Sequence, residues 1–314
     1  MEKKSEFRPN SPPDYPIPAS PFTVDVCILN TNTRLYLLPG ALWKPTLLGF
    51  KSPQTPIYCF LISHEDRHII FYLGVRTDWE KYTPKTVRAI KAATVVSDCT
   101  RDVVDILHDP ADNHNVLGIP SSDIEAVVWS HPHFDHTGDP SRFPSTTELI
   151  VGPGVECSSW PGHTSNPDGL VLDSDAADRS VRGIHFDHGN PLRVGPFNAA
   201  DYFDDGSFYL LDAPGHATGH LCGLARTTAN PPTFNPRKPF FQVARGPMRG
   251  NHLAAVETVA KIQKFDALDN VLVWLAHLDS LHGQLPLLLS ASIIGRLGEW
   301  ARIRGGCFVV RCSM

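Results

Sequence analysis

A cluster of histidines directly behind a short apolar run sets the strongest limit on the fold of this chain. Residues 126–129 read Ala-Val-Val-Trp, and His131, His133, Asp135 and His136 follow within the next seven positions. A short run of apolar, β-prone residues predicts a buried β-strand, so the histidines are expected on the loop at its end. Side chains two positions apart point the same way while the backbone is extended, and the later ones can turn back toward them.

The residue types in this cluster indicate a metal site. Imidazole nitrogens and carboxylate oxygens are the ligands that Zn²⁺ and similar divalent ions prefer. A single histidine would be interpreted as an exposed polar residue. Four titratable side chains packed this closely gain nothing without a cation, so we interpret residues 131–136 as a loop that binds one ion or two neighbouring ions.

Two more histidines follow apolar runs later in the chain. Residues 208–211 predict a strand that breaks at Pro214-Gly215 and exposes His216 at its end. Residues 270–276 form another apolar run, which His277 closes. Loops at strand ends commonly carry functional side chains on a rigid scaffold. His216 and His277 are therefore candidate ligands, although His277 taken alone would be weak evidence.

Residues 131–140, which read His-Pro-His-Phe-Asp-His-Thr-Gly-Asp-Pro, resemble the signature of the metallo-β-lactamase superfamily. They look similar to a fungal lactonase-like, or N-acyl homoserine lactonase-like, branch of it. The resemblance covers about residues 22–285. It implies an α+β fold, a four-layer αββα sandwich with metals at one edge of the two sheets.

The same resemblance implies a set of ligands for two Zn²⁺ ions. His131, His133 and His216 would hold one ion, and Asp135, His136 and His277 would hold the second. Asp135 is also the candidate catalytic residue, because a carboxylate at this place can orient the nucleophile or protonate the leaving group. His220 is expected to form a supporting hydrogen bond rather than to bind an ion.

Two departures from the family pattern concern acidic residues. The family places a bridging carboxylate between the last two histidine ligands, but residues 217–256 contain no Asp or Glu. Residues 227–239 contain four prolines, which a central strand does not tolerate, so this part resembles a deletion. Tyr72 stands where the family usually has an acid. We therefore expect the second ion to bind more weakly than the first.

Hydrophobic periodicity predicts the elements around the site. The expected strands before the first histidines are residues 23–29, 34–38, 57–62 and 68–74, the last two as a hairpin. The expected helices are residues 86–93, 98–107 and 253–264. Asp98 is the expected N-cap of the second helix, because a short acidic side chain can accept hydrogen bonds from the first turn.

Composition limits the partners and the location. The chain has 314 residues, of which 42% are hydrophobic, enough for a single domain over residues 22–314 behind a Pro-rich tail at residues 1–21. The net charge is −5 and basic residues form no run, so we expect a small-molecule partner, no nucleic acid and no membrane. The seven cysteines form no CxxC pair, and the start is not a secretory signal, which favours a cytoplasmic protein. The oligomeric state stays open.

The expected function follows from these residues and the resemblance. We expect a zinc-dependent hydrolase that opens a lactone or cleaves another carboxylic ester, with a zinc-bound hydroxide attacking the carbonyl. One alternative is a thioester hydrolase that releases a product of polyketide-type metabolism. Another is a degenerate metal-binding protein with little activity, because the bridging carboxylate is missing.

Overall fold

Two β-sheets packed face to face form the body of the protein. The computed structural model describes residues 17–38, 54–109, 118–186, 189, 191–227, 251–266, 271–275, 288–289 and 307–311. The strands are β1 Asp25–Leu37, β2 Gln54–His64, β3 Arg67–Phe71, β4 Thr94–Ser97, β5 Ile124–Val128, β6 Glu148–Val151, β7 Val181–Gly183, β8 Arg193–Val194, β9 Phe197–Asp201, β10 Phe208–Asp212, β11 Leu221–Arg226, β12 Val271–Leu275, β13 Leu288–Leu289 and β14 Cys307–Arg311. The α-helices are α1 Pro84–Ala93, α2 Val103–His108, α3 Phe134–Thr137, α4 Val155–Ser159 and α5 His252–Asp266.

The first sheet has the order β13-β1-β2-β3-β5-β6-β7, with β4 also paired to β1. Strands β1, β2 and β3 are antiparallel, whereas β3, β5, β6 and β7 are parallel. The carboxyl ends of parallel strands meet at one edge of a sheet, which is where such sheets bind ligands. The segments that follow β3, β5 and β6 therefore lie side by side, and the segment after β5 carries His131.

The second sheet has the order β12-β14-β11-β10-β9-β8. Side chains along β10 alternate between its two faces. Phe208 and Leu210 belong to the core between the sheets, and the Phe208 ring centroid lies 6.3 Å from that of Phe71 in the first sheet. Tyr209 and Leu211 pack on the opposite face with Ile262 of α5. One face of this sheet thus contacts the first sheet and the other contacts a helix.

Helices α1 and α2 accompany the first sheet. The apolar residues of α2 are buried in the same core as β1, β2, β3 and β5. Ile90 of α1 packs with Leu35 and Ile57 in a smaller cluster. With α5 on the second sheet, this arrangement confirms the expected α+β fold, an αββα sandwich.

Most of the expected elements are present. The hairpin is β2 and β3, and the strands before the histidines at positions 131, 216 and 277 are β5, β10 and β12. The helix expected at residues 253–264 is α5. The helix expected at residues 86–93 is α1, which begins earlier because the Thr83 side chain caps it and proline occupies its first position.

Two expectations about local structure were wrong. Residues 23–29 and 34–38 were expected as separate strands, but they belong to the single strand β1, whose pairing with β2 shifts between Asn30 and Arg34. The N-cap of α2 is Asp102 and not Asp98, because Asp102 and Asp105 form a reciprocal capping box. Asp98 instead has a positive φ of 56°.

Residues 17–24 lie against both sheets. Arg226 of β11 donates a hydrogen bond from Nη2 to the carbonyl of Pro18 at 2.5 Å. His64 of β2 donates from Nδ1 to the carbonyl of Thr23 at 3.1 Å. The division of the chain at residue 22 stays a prediction. In the described part of the chain, no helix combines the length and apolar character needed to cross a membrane.

Candidate metal centre

The loop after β5 presents the first histidines. We call residues 130–139 the first histidine loop. His131 is almost fully buried, and its Nδ1 lies 2.9 Å from the hydroxyl oxygen of Ser130. The ring centroid of His133 lies 4.5 Å from that of His131. A partner on one ring nitrogen fixes the orientation of an imidazole, so the contact with Ser130 directs the other nitrogen of His131 into the centre.

The loop between β10 and β11 presents the next histidine. We call residues 213–220 the second histidine loop. His220 donates from Nδ1 to the carbonyl of Ala213 at 2.8 Å, and this bond closes the loop. The backbone N–H of Leu221 donates to the carbonyl of Ser130 at 2.8 Å. The second loop is therefore tied directly to the first, and His220 has the supporting hydrogen bond that its sequence context predicted.

His131, His133 and His216 converge at the meeting point of the loops. One ring nitrogen from each of the three lies within 4.8 Å of those of the other two. The Nε2 atoms of His131 and His216 are 3.2 Å apart. In a tetrahedral zinc site with Zn–N bonds of about 2.0–2.1 Å, two ligand nitrogens are about 3.4 Å apart. The donor type and spacing of this triad fit a divalent ion.

The electrostatics of the triad favour neutral imidazoles. Burial lowers the pKa of His131 well below its ordinary value, and repulsion from the neighbouring imidazoles adds to this. Burial likewise lowers the pKa of His133 and of His216. A metal ion binds the neutral form of imidazole, so these three side chains are in the protonation state that a ligand needs.

Asp135 and His136 lie beside the triad on helix α3. Asp135 Oδ2 is 3.1 Å from His136 Nε2, and the Asp135 side chain keeps 16% of its surface exposed. The ring of buried His136 has its centroid 4.6 Å from that of His131 and 4.7 Å from that of Tyr72. The pair is thus next to the triad. His277 lies outside the described residues, so its ligand role stays a prediction.

Sequence reasoning missed the residues that hold the first histidine loop in place. The indole nitrogen of Trp129 donates to the carbonyl of Thr137 at 3.0 Å, and the N–H of Leu73 donates to the carbonyl of His136 at 3.0 Å. The Tyr82 hydroxyl donates to the carbonyl of Phe134 at 2.7 Å. Tyr82 lies 52 positions from Phe134 along the chain, so no local pattern reveals this contact.

The second histidine loop is positioned by two glycines whose backbone lies directly against that of neighbouring segments. A Cβ atom added to Gly152, just after β6, would lie 1.8 Å from the carbonyl oxygen of Gly219. One added to Gly215 would lie 2.0 Å from the backbone nitrogen of Ala255 in α5. Gly215 and Gly219 also have positive φ angles, of 122° and 59°. Only glycine fits these positions, where the backbone of one segment touches that of another.

Known proteins similar to this chain include hydrolases. No family model matches the chain. The metallo-hydrolase mfmC of Annulohypoxylon moriforme is 49% identical, over 89% of this chain and 85% of that protein. The gamma-lactamase FDB1 of Fusarium pseudograminearum (strain CS3096) is 33% identical, over 88% of this chain and 79% of that one.

A longer protein also matches. The cytochrome P450 monooxygenase mpaDE of Penicillium roqueforti (strain FM164) is 42% identical over 96% of this chain, which spans only 40% of that protein. The two preceding relatives align over most of their own length as well as over most of this chain. The N-acyl homoserine lactonase AttM of Rhizobium johnstonii (strain DSM 114642 / LMG 32736 / 3841) is 26% identical, over 74% of this chain and 88% of that protein. Together with the αββα fold and the histidine triad, these relatives show that the chain belongs to the metallo-hydrolases of the lactonase-like branch of the metallo-β-lactamase superfamily.

Proposed function

We propose that this protein is a zinc-dependent hydrolase that opens lactones or cleaves other carboxylic esters. The observation that carries the proposal is the convergence of His131, His133 and His216 from two distant loops, with their ring nitrogens within 4.8 Å of one another. Neutral imidazoles gathered in this way are suited to binding a cation. The lactonase-like family supplies the substrate class.

The ligands divide into two sets in this proposal. His131, His133 and His216 hold one ion, and Asp135, His136 and His277 hold the other. An ion at this place supplies Lewis acidity, which activates water and polarises an acyl oxygen near neutral pH. The protein's own contribution is to fix the ligands, since Ser130 orients His131 and the two loops are bonded to each other.

Asp135 is proposed to transfer the proton from the attacking water to the leaving group. Its Oδ2 lies 3.1 Å from His136 Nε2, while its partial exposure leaves the carboxylate accessible to a substrate. A carboxylate in this position can orient the attacking water and pass its proton to the leaving oxygen. The three triad histidines are less suited to this role, because their ring nitrogens are gathered at the centre.

A cyclic amide is the second candidate substrate. FDB1, which is named a gamma-lactamase, aligns with 88% of this chain. A lactone and a lactam present the same planar acyl group, and they differ in the leaving atom, which is oxygen in one and nitrogen in the other. An amide nitrogen leaves only after it is protonated, so lactam opening requires a proton donor more strictly than lactone opening does.

Metal analysis and a substrate panel test the proposal together. We expect close to two zinc equivalents in the purified protein, and loss of turnover after chelation. One equivalent or fewer, with no turnover on any substrate, would identify the degenerate metal-binding protein instead. The panel contains a γ-lactone, an aryl ester, a thioester and a γ-lactam, so preferred cleavage of the thioester would favour the product-releasing alternative.

Substitution of a ligand provides the control. His133→Ala should lower turnover on the preferred substrate by about a thousandfold or more, because a metal-activated water contributes on that scale. His185→Ala serves as the matched variant, since His185 is exposed and stands outside the triad. Unchanged turnover in His133→Ala would remove the metal mechanism.

A further inference from the structure

Tyr82 approaches the metal centre from outside the set of ligands. It follows a short 3-10 helix, Trp79–Lys81, and it precedes α1. Its ring is buried in the small apolar cluster that includes Ile57 and Ile90. The tyrosine thus fills space in the core, and its hydroxyl group extends beyond that core to the first histidine loop.

The hydroxyl group has one proton, and the geometry determines where that proton goes. The carbonyl of Phe134, 2.7 Å from the Tyr82 oxygen, can only accept a hydrogen bond. The backbone N–H of Arg76 can only donate, and it lies 3.2 Å from the same oxygen. The carbonyl of Gly138 is farther away, at 3.5 Å, so Tyr82 donates to Phe134 and accepts from Arg76.

The carbonyl of Phe134 belongs to the peptide group that leads into Asp135. This group is planar, so a hydrogen bond to its oxygen also fixes the direction of the Asp135 nitrogen and Cα. The following carbonyls of the loop have other donors, since Leu73 holds His136 and Trp129 holds Thr137. Of the two side-chain donors, Tyr82 and Trp129, Tyr82 therefore holds the carbonyl nearer to Asp135 in the chain.

Arg76 fixes the other end of the same loop. Its Nη2 donates to Asp139 Oδ2 at 3.0 Å and its Nε donates to Asp78 Oδ1 at 2.6 Å. The guanidinium carbon lies 5.6 Å from the centroid of the Tyr82 ring. The hydrogen bond from Arg76 lowers the pKa of Asp78 to about 2, so the carboxylate is charged at neutral pH. Tyr82 is therefore held on a rigid support.

We infer that Tyr82 is a positioning residue that sets Asp135 and His136 at the distance required for metal binding. The inference rests on the proposed function, because it assigns a purpose to the hydroxyl only if the first histidine loop binds metal. Residues that orient metal ligands by hydrogen bonds commonly account for about ten- to a hundredfold in metal affinity. If Tyr82 served only to pack the core, its ring would contribute to stability and its hydroxyl would not affect metal affinity.

Tyr82→Phe separates these two roles, since it removes the hydroxyl and keeps the ring. Tyr202→Phe is the matched control, because Tyr202 also donates a hydrogen bond from its hydroxyl, to Glu125 Oε1 at 2.9 Å, on a surface away from the triad. The full-length wild-type protein and both variants are stripped of metal and titrated with Co²⁺ against a competing chelator. The Co²⁺ absorption spectrum and the thermal unfolding midpoint are recorded for each.

Tyr82→Phe should bind Co²⁺ about tenfold more weakly and should change the Co²⁺ spectrum. Tyr202→Phe should retain the wild-type affinity and spectrum, even if its unfolding midpoint falls as far as that of Tyr82→Phe. Wild-type affinity and spectrum in Tyr82→Phe would overturn the inference while leaving the proposed function intact. Failure of the wild-type protein itself to bind Co²⁺ would overturn both.

Discussion

The first and second histidine loops reach one centre, but their backbones are held by different kinds of contact. In the first loop, hydrogen bonds from Tyr82, Leu73 and Trp129 hold the carbonyl groups of residues 134, 136 and 137. In the second loop, Gly215 and Gly219 lie directly against the backbone of neighbouring segments. The first loop is therefore held largely by hydrogen bonds, two of which come from side chains that can be removed singly. The second loop has two positions that accommodate no side chain, a condition that the first loop meets only at Gly138.

This difference determines which amino-acid substitutions each loop tolerates. Loss of a hydrogen-bond donor leaves a buried carbonyl unsatisfied, which costs about 1–3 kcal/mol and lets the backbone turn locally. Addition of a single carbon atom where two backbones touch forces whole segments apart. Polar substitutions should therefore tune the first loop, whereas enlarged glycines should displace the second loop from α5 and from the segment that follows β6.

The largest expected effect comes from adding a methyl group at the contact between the second histidine loop and the segment that follows β6. Gly152→Ala would place its Cβ 1.8 Å from the carbonyl oxygen of Gly219. We expect a loss of about 3 kcal/mol or more in the free energy of unfolding, since backbone cannot move aside as a flexible side chain does. Metal binding should fall with it, because the same contact positions His216. Chemical denaturation and metal analysis measure the two effects.

Gly154→Ala is the matched control for this substitution. Gly154 lies two positions further on with a φ of 76°, and no atom lies within 4 Å of an added Cβ. Only the left-handed backbone conformation opposes alanine there, at a cost of about 1–2 kcal/mol. Equal losses of stability in the two variants would mean that the contact of Gly152 with Gly219 is not what makes residue 152 sensitive.

The free energy of unfolding is expected to depend on pH through Asp175, which lies near the Arg76–Asp139 pair at the end of the first loop. Asp175 is almost fully buried, and burial raises its pKa to about 7. The charged groups that face it are Arg76, Asp139 and Arg179. Between the pKa of the unfolded carboxyl, about 4, and that of the folded one, the folded state holds a proton that the unfolded state has lost. The contribution of Asp175 to stability therefore falls as the pH rises through this window.

Asp175→Asn removes this contribution while keeping an oxygen that can accept from the N–H of Leu172. The variant should gain stability over wild type by up to about 4 kcal/mol above pH 7, and the gain should vanish toward pH 4. Urea denaturation of both proteins at a series of pH values measures the difference. A gap that is the same at pH 5 and pH 8 would contradict the assignment.

The smallest effect is expected on helix α5, behind the second loop. Glu257 is the first acidic residue after His216 in the sequence, but its side chain is 68% exposed and pairs with Lys261 at 2.9 Å. It is turned to solvent and paired within its own helix. Glu257→Gln should therefore leave metal content, turnover and the unfolding midpoint unchanged. Loss of one metal equivalent would show that this helix supplies the bridging carboxylate after all.

The strands and the triad were predictable because their signals are local. Each of β5 and β10 is a short apolar run, and each is followed by its histidines on the loop at the strand end. The resemblance of residues 131–140 to a known signature then placed those ends at one edge. The role of His277 has no such support from the structure, because it lies outside the described residues.

Other features depended on contacts that no local pattern shows. Residues 30–33, Asn-Thr-Asn-Thr, lie between the strands expected at residues 23–29 and 34–38, but Thr31 and Thr33 are fully buried within β1. The Thr31 hydroxyl donates to the carbonyl of Ile57 in the adjacent strand, which allows the sheet to accommodate it. The contact of Gly152 with Gly219 likewise joins segments that are far apart in sequence.

The position of β14 has a consequence for the order in which the protein matures. Among the described strands, β12 pairs with β14 in parallel, and β14 in turn pairs with β11. The segment leading to position 277 therefore cannot join the sheet until residues 307–311 have been translated. The loops that carry His131 and His216 do not depend on β14 in this way. Strands β5, β10 and β11, which flank these loops, are all translated before β12 and β14. A nascent chain would thus acquire a pocket for its first ion well before the proposed pocket for the second is complete.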